Sequence, residues 1–292
     1  MFIGKAEKAA SDQSSQMDIS FLSKLVIFVA LFCGAIIMIM PFVWMVSTAC
    51  KPTAELSRVP IHWIPEHPAC LANIRELYET SGHFNRYLLN SVIATAGRTL
   101  GQLVTCSLAA YGFARFRFPG RDLLFAMCLG LLMVPYQAII VPEYLIVRQL
   151  GWLYTFAALI IPNIFSAFAL FLLRQAFLQI PLELEEAAEI DGANPLRILW
   201  HVTLPLSVPS LAAFGVITFQ AAWNDFFWPM VVSKTEDTRV ITVGIALLQS
   251  ESSTPWNLMM MGTFIATLPT VILFLFLQRY FIAGISTTGL KR

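Results

Sequence analysis

Residues Leu25 to Cys50 read LVIFVALFCGAIIMIMPFVWMVSTAC, and no Asp, Glu, Lys or Arg interrupts them. About 20 mostly apolar residues suffice for a helix to cross ~30 Å of hydrocarbon. Similar runs follow along the chain. Residues 87–114 carry only Arg98, and residues 123–142, 149–173 and 252–278 carry no charge at all. Residues 202–224 carry none either, and the apolar run continues past Asp225 to Val232. These runs predict six helical spans, near 25–47, 88–114, 122–142, 155–173, 206–231 and 257–279. A membrane β-barrel would show ~10-residue alternating segments instead, and nothing here alternates over that length. The expected fold class is an all-α integral membrane protein with six transmembrane helices.

Composition agrees. The chain has 292 residues, 57% of them apolar and 13% charged, against a usual charged share of roughly 25%. A soluble enzyme and a disordered chain are both excluded. A net charge of +1 offers no basic excess to attract nucleic acid. Residues 1–20 are small, polar and charged, and are expected to be a disordered tail. One transmembrane domain then runs from 21 to 292. The first span is too long for a signal-peptide core and reads as an uncleaved anchor.

Six spans place both termini on one side. That side collects Lys5, Lys8, Lys24, Arg115, Arg117, Arg121, Arg174, Arg197, Arg279, Lys291 and Arg292. The other side holds the smaller set Lys51, Arg58, Arg75, Arg86, Arg148, Lys234 and Arg239. The positive-inside bias therefore expects cytoplasmic termini. Cys33, Cys106 and Cys128 fall inside spans as packing residues. Cys50 and Cys70 both fall on the outer side, where a disulfide is permitted, although two unpaired thiols are the simpler reading.

Enzyme signatures are absent. The tail segment Gly284 to Lys291 approaches a phosphate-cradling loop, but Leu290 stands where that loop needs Lys. His62, His67, His83 and His201 lack metal-site spacing with the cysteines. No cofactor or metal is expected on this chain, so active transport would draw its energy from a partner or an ion gradient.

The polar stretch 175–205 between spans four and five carries the most information. Pro181 suits the first position of a helix, and Glu183, Glu185, Glu186 and Glu189 crowd its early turns. Gly192 suits a left-handed stop, and Asn194 can cap a second helix that has Pro195 at its first position. A short helix–turn–helix outside the membrane is expected. A helix resting on anionic headgroups would carry Lys or Arg on its polar face. This one carries none, so a protein-docking element is favoured, with Ala187 and Ala188 leaving a low surface for close approach.

Glu186-Ala187-Ala188, three residues, Gly192, nine residues, then Val202-x-Leu204-Pro205 resembles the EAA loop of ATP-binding-cassette importer permeases. Val202 stands where that pattern usually has Ile. Further segments resemble the MalG-like sugar permeases within that family. They are Asn90-Ser91, the stretch Ala110 to Arg121, Trp223 to Pro229, Arg279-Tyr280-Phe281 and the terminal Lys291-Arg292. The resemblance covers nearly everything from residue 21. It implies a type I importer permease in a bacterial inner membrane, with both termini cytoplasmic. It implies that Glu186, Ala187, Ala188 and Gly192 form a coupling helix docked on a cytoplasmic ATPase dimer. ATP would be used by that partner and not by this chain. A second permease would complete a heterodimer, and an extracytoplasmic solute-binding protein would meet the outer side, where loop 48–86 lies. A carbohydrate or related polyol would be the cargo.

Within span five, Gln220, Trp223, Asn224 and Phe227 recur at i, i+3, i+4, i+7 and would share one helical face. Amides and aromatic rings suit a neutral sugar. Equally, Trp223 and Trp228 near a span end suit an interfacial aromatic belt. Asp225 is an ionisable group inside a span, which faces a cavity or a partner as a rule. Arg98 either pairs with an acid or snorkels to the interface, and it lies between Gly97 and Gly101, spaced for close helix contact. The competing reading is a stand-alone secondary transporter or channel. That reading needs inverted repeats or several intramembrane acids, and Asp225 is the only acid the span assignment offers.

Overall fold

The computed structural model describes residues 21–58, 60, 62–249 and 254–289. The tail expected over 1–20 lies outside these residues. All regular structure among the described residues is helical.

Helix α1 (Phe21–Ala49) continues unbroken through Pro41. Its side chains are largely uncovered, with Leu31 70% and Met38 74% exposed, as an apolar helix is when lipid is its solvent. It packs along α13 (Trp256–Gly289), the last span. A single turn (Thr53–Leu56) and α2 (Cys70–Ser81) follow α1 outside the core of the spans. Cys50 and Cys70 are joined by a disulfide, so the unpaired reading gives way. Asn73 donates to the carbonyls of Ala49 and Lys51 at 2.8 Å, and Asn257 donates to Asn73 Oδ1 at 3.2 Å. The bridge closes a 20-residue loop, worth about 3 kcal/mol. Cys50→Ser should therefore lower the thermal unfolding midpoint in detergent, and reductant should bring the unsubstituted protein down to the same value.

Helix α3 (Phe84–Arg115) covers the stretch assigned from sequence to the second span. Its 32 residues rise about 48 Å, enough to cross the bilayer whole. It lies at the centre of the bundle, so its buried face is partly polar: Asn90, Ser91, Thr95, Gln102 and Ser107 are all covered. A Cβ on Gly97 would stand 2.6 Å from Ile160 Cδ1, and one on Gly101 would stand 2.8 Å from Ile164 Cγ2. The glycine pair thus admits the fourth span against α3.

Three spans are bent, which the apolar runs alone do not show. The third divides into α4 (Arg121–Gly130), a tight turn to Met133, and α5 (Tyr136–Gln149), at 104° to each other. Val134 is extended because Pro135 follows it, and the helix cannot pass that point. The fourth divides into α6 (Phe156–Ile160), a turn containing Pro162, and α7 (Ala167–Leu178), bent by 48°. Ser166 caps α7 by accepting from the Ala169 amide. Then come α8 (Leu182–Ile190) and a short helical segment α9 (Pro195–Leu206), which meets α10 (Val208–Trp223) at 82°. The fifth span stops at Trp223 and resumes as α11 (Phe227–Val232), followed by α12 (Ile241–Ala246).

Three apolar clusters hold these helices. One, at the α8 end, joins Cys106, Leu173, Phe177, Leu199 and Phe214. One, at the disulfide end, joins Leu77, Phe84, Trp223, Ile241 and Leu258. The third packs Val147 and Leu159 against Trp228 and Val232.

Candidate functional site: an external helix and a broken span

Helix α8 is built as its residues dictate. Acidic Glu183 and Glu185 occupy its first turn, favoured by the helix dipole. Gly192 takes φ +83°, and the Gly192 and Ala193 amides donate back to Glu189 and Ala188 at 2.9 Å. Asn194 Oδ1 accepts from the Arg197 amide at 2.9 Å, opening α9.

The acidic residues do not share one environment. Glu183, Glu186 and Glu189 are exposed, but Glu185 is buried, with its side chain 5% exposed. Its Oε1 accepts from Arg115 Nε at 2.8 Å and from the Thr203 hydroxyl at 3.1 Å, and Oε2 faces the Tyr111 hydroxyl at 3.4 Å. Arg115 Nη2 donates to the carbonyls of Phe177 and Ile180 at 2.8 and 3.1 Å. One guanidinium thus ties α3 to α8 and to the end of α7. The two alanines also differ. Ala187 is exposed, whereas Ala188 is half-buried against the Phe177–Leu199 cluster. The outward surface is therefore Glu186 and Ala187 together with Ile190, which is 87% exposed.

The second place is the break in span five. Arg98 Nη1 meets Asp225 Oδ2 at 2.8 Å, with both side chains about four-fifths buried, so Arg98 pairs and does not snorkel. Glu143 and Tyr136 of α5 lie beside this pair. Glu143 is a second acid at this place, and it lies just past residue 142, where the sequence assignment ends span three. The Asn224 amide donates to the Gln220 carbonyl at 3.0 Å, and the Thr242 hydroxyl donates to the Asp225 carbonyl at 2.8 Å. The Gln220 carbonyl also keeps its helical partner, the Asn224 backbone N–H, so it is the Asp225 carbonyl, past the end of α10, that a side chain has to satisfy.

The single-face reading of Gln220, Trp223, Asn224 and Phe227 does not survive this break, because the helical register ends before Phe227. Gln220, Asn224 and Phe227 are exposed, while Trp223 is buried and its indole donates to the Ala266 carbonyl at 2.9 Å. Trp228 is buried as well, donating to the Ala158 carbonyl at 2.8 Å. Both indoles are core residues with satisfied N–H groups, not members of an interfacial belt. In loop 48–86, Glu55, Glu66 and His67 lie close together, but Glu55 accepts from the amides of residues 66 and 67, and Glu66 pairs with Arg58.

Residues 102–287 match the family model of the binding-protein-dependent transport system inner membrane component. The chain is 35% identical to the lactose transport system permease protein LacG of Rhizobium radiobacter, covering 90% of this chain and 95% of the relative. It is 33% identical to the trehalose/maltose transport system permease protein MalG of Thermococcus litoralis, covering 92% and 98%. It is 34% identical to the sn-glycerol-3-phosphate transport system permease protein UgpE of Rhizobium meliloti, covering 91% and 97%. A chain of a bacterial ABC transporter involved in alginate import shares the fold, with a TM-score of 0.79 at 24% identity over 89% of this chain and 96% of that one. Membership of this family removes the reading as a stand-alone secondary transporter or channel. With its helical bundle, its external α8 and its broken fifth span, the chain belongs to the inner membrane components of binding-protein-dependent transport systems.

Proposed function

We propose that this chain is one of two permease subunits of an ATP-driven importer for a carbohydrate or related polyol, moving its cargo by alternating access. The observation that carries the reading is α8. It stands outside the spans, is fastened inward by Glu185, and turns Glu186, Ala187 and Ile190 outward. A cytoplasmic ATPase dimer docked there, with Gly192 setting the turn, would rock the spans as it closes on ATP. The partner supplies the hydrolysis, and this chain binds no nucleotide. The second permease and the solute-binding protein complete the path. Gln220, Asn224 and Phe227, exposed beside Asp225, are the side chains offered to that path. The sugar and glycerol phosphate named for the relatives support the cargo class.

Growth of a deletion strain tests the cargo. Loss of growth on one disaccharide, oligosaccharide or glycerol phosphate as sole carbon source, restored by the intact gene, is the expected result. Unimpaired growth on all of them together with lost uptake of an amino acid or peptide would contradict it.

Orientation is tested separately. Cysteines at Ser11 and Glu79, each alone in a background without free thiols, should react oppositely in intact cells. Glu79→Cys should label with an impermeant maleimide and Ser11→Cys only after lysis. Labelling of both from outside would break the six-span orientation.

A further inference from the structure

We propose that Arg115 and Glu185 are positioning residues that hand the movement of α8 to α3, and that α3 carries it as one rod to the break at Asp225 and to the far-end loop. The proposal rests on α8 being the ATPase-docking helix.

Three observations carry it. The first is the joint itself. The guanidinium makes three directional bonds, two of them to backbone carbonyls, where the side chains of Arg115 and Glu185 are only 10% and 5% exposed. A planar fork held on three sides fixes angle as well as distance, which a greasy contact does not. The second is the contrast between spans. Spans three, four and five are bent, and a bend absorbs displacement. Helix α3 runs unbroken for 32 residues and contains no proline. The third is what α3 holds further along. At mid-length Arg98 grips Asp225, within the break of span five. At the far end Tyr87 accepts from Arg239 Nη1 at 2.9 Å, and Ser91 Oγ accepts from the Ile241 amide at 2.7 Å. One rigid element therefore carries polar joints at the docking helix, at the broken span and at the loop on the opposite side. A shift of α8 that reaches Arg115 must appear at all three.

The test places a reporter at the far joint. Lys234→Cys is exposed, and its backbone carbonyl accepts from Arg239, which bonds α3. Cys33, Cys106 and Cys128 are replaced by Ala, and the Cys50–Cys70 bridge is kept. The transporter, assembled with its partners in vesicles, is labelled with an impermeant maleimide with and without ATP plus vanadate. Two variants are compared: Glu185→Gln, and the double variant Arg115→Met/Glu185→Met, which fills the joint with apolar side chains of similar volume. The expected result is that ATP changes the unsubstituted labelling rate by about tenfold, while both variants lose most of that response yet still retain the ATPase. Arg115→Lys, keeping the charge but not the fork, should recover only part of it. An ATP response unchanged in both variants overturns the proposal. So does loss of the ATPase in every variant, because the pair would then hold the docking helix in place and transmit nothing. An unsubstituted protein that retains no ATPase at all would instead sink the docking reading, and the joint with it.

Discussion

Arg115→Ala should destabilise the folded chain by about 3–5 kcal/mol, because it leaves the Glu185 carboxylate buried without its partner. The Phe177 and Ile180 carbonyls would lose their donor in the same step. The natural comparison is Arg86→Ala. Arg86 also pairs with an acid, Asp237 at 2.6 Å, but those side chains are 49% and 69% exposed. Exposed pairs contribute at most about 1 kcal/mol. Thermal unfolding in detergent should separate the two variants clearly. Proteolysis near residues 179–181, where α7 passes into α8, should speed up in Arg115→Ala alone. Equal midpoints for the two variants would mean that water reaches the Glu185 carboxylate.

The largest expected effect on function comes from Ala187→Trp. Ala187 points outward, so a Trp there leaves the chain's own packing intact and overfills only a partner's groove, at about 1–3 kcal/mol or more. Recovery of the ATPase with the tagged permease should fall severalfold while the protein inserts and melts normally. Ala188→Trp should behave differently. Ala188 lies against the Phe177–Leu199 cluster, so that variant should lower the melting midpoint first and lose the ATPase as a consequence. Gly192→Val should also disturb docking. The site has open space for a side chain, but φ +83° is strained for a β-branched residue. Glu183→Gln, on the exposed side, should change neither midpoint nor recovery. If Ala187→Trp leaves recovery untouched, α8 does not dock the ATPase.

That this is a helical protein with several membrane spans was legible because charge is so costly in hydrocarbon that its absence over ~20 residues leaves few other readings. The α8 turn was legible because Pro181, Gly192 and Asn194 each have a narrow backbone role. The bends were not read, although Val134-Pro135 carried a local signal: the residue before Pro is driven out of helix. The stop at Trp223 had no such mark. It depends on Arg98 and Thr242 reaching Asp225 from 127 and 17 residues away, which no local pattern records. The burial of Glu185 was not legible for a similar reason. Among neighbouring glutamates, only the approach of Arg115, 70 residues earlier, singles out the buried one. Trp223 and Trp228 sit near a span end, where belt and core positions share one composition. Their indole partners at Ala266 and Ala158 decide between the two.

The central claim is that α8 is where a cytoplasmic ATPase grips this permease. Site-directed cross-linking measures it most directly. Ala187→Cys and Glu79→Cys are made separately in a background without free thiols, and the assembled complex is treated with a short bifunctional maleimide. The account predicts a covalent adduct between permease and ATPase from Ala187→Cys, and none from Glu79→Cys. No adduct from Ala187→Cys in a complex that demonstrably contains the ATPase, or an equal adduct from Glu79→Cys, would contradict it.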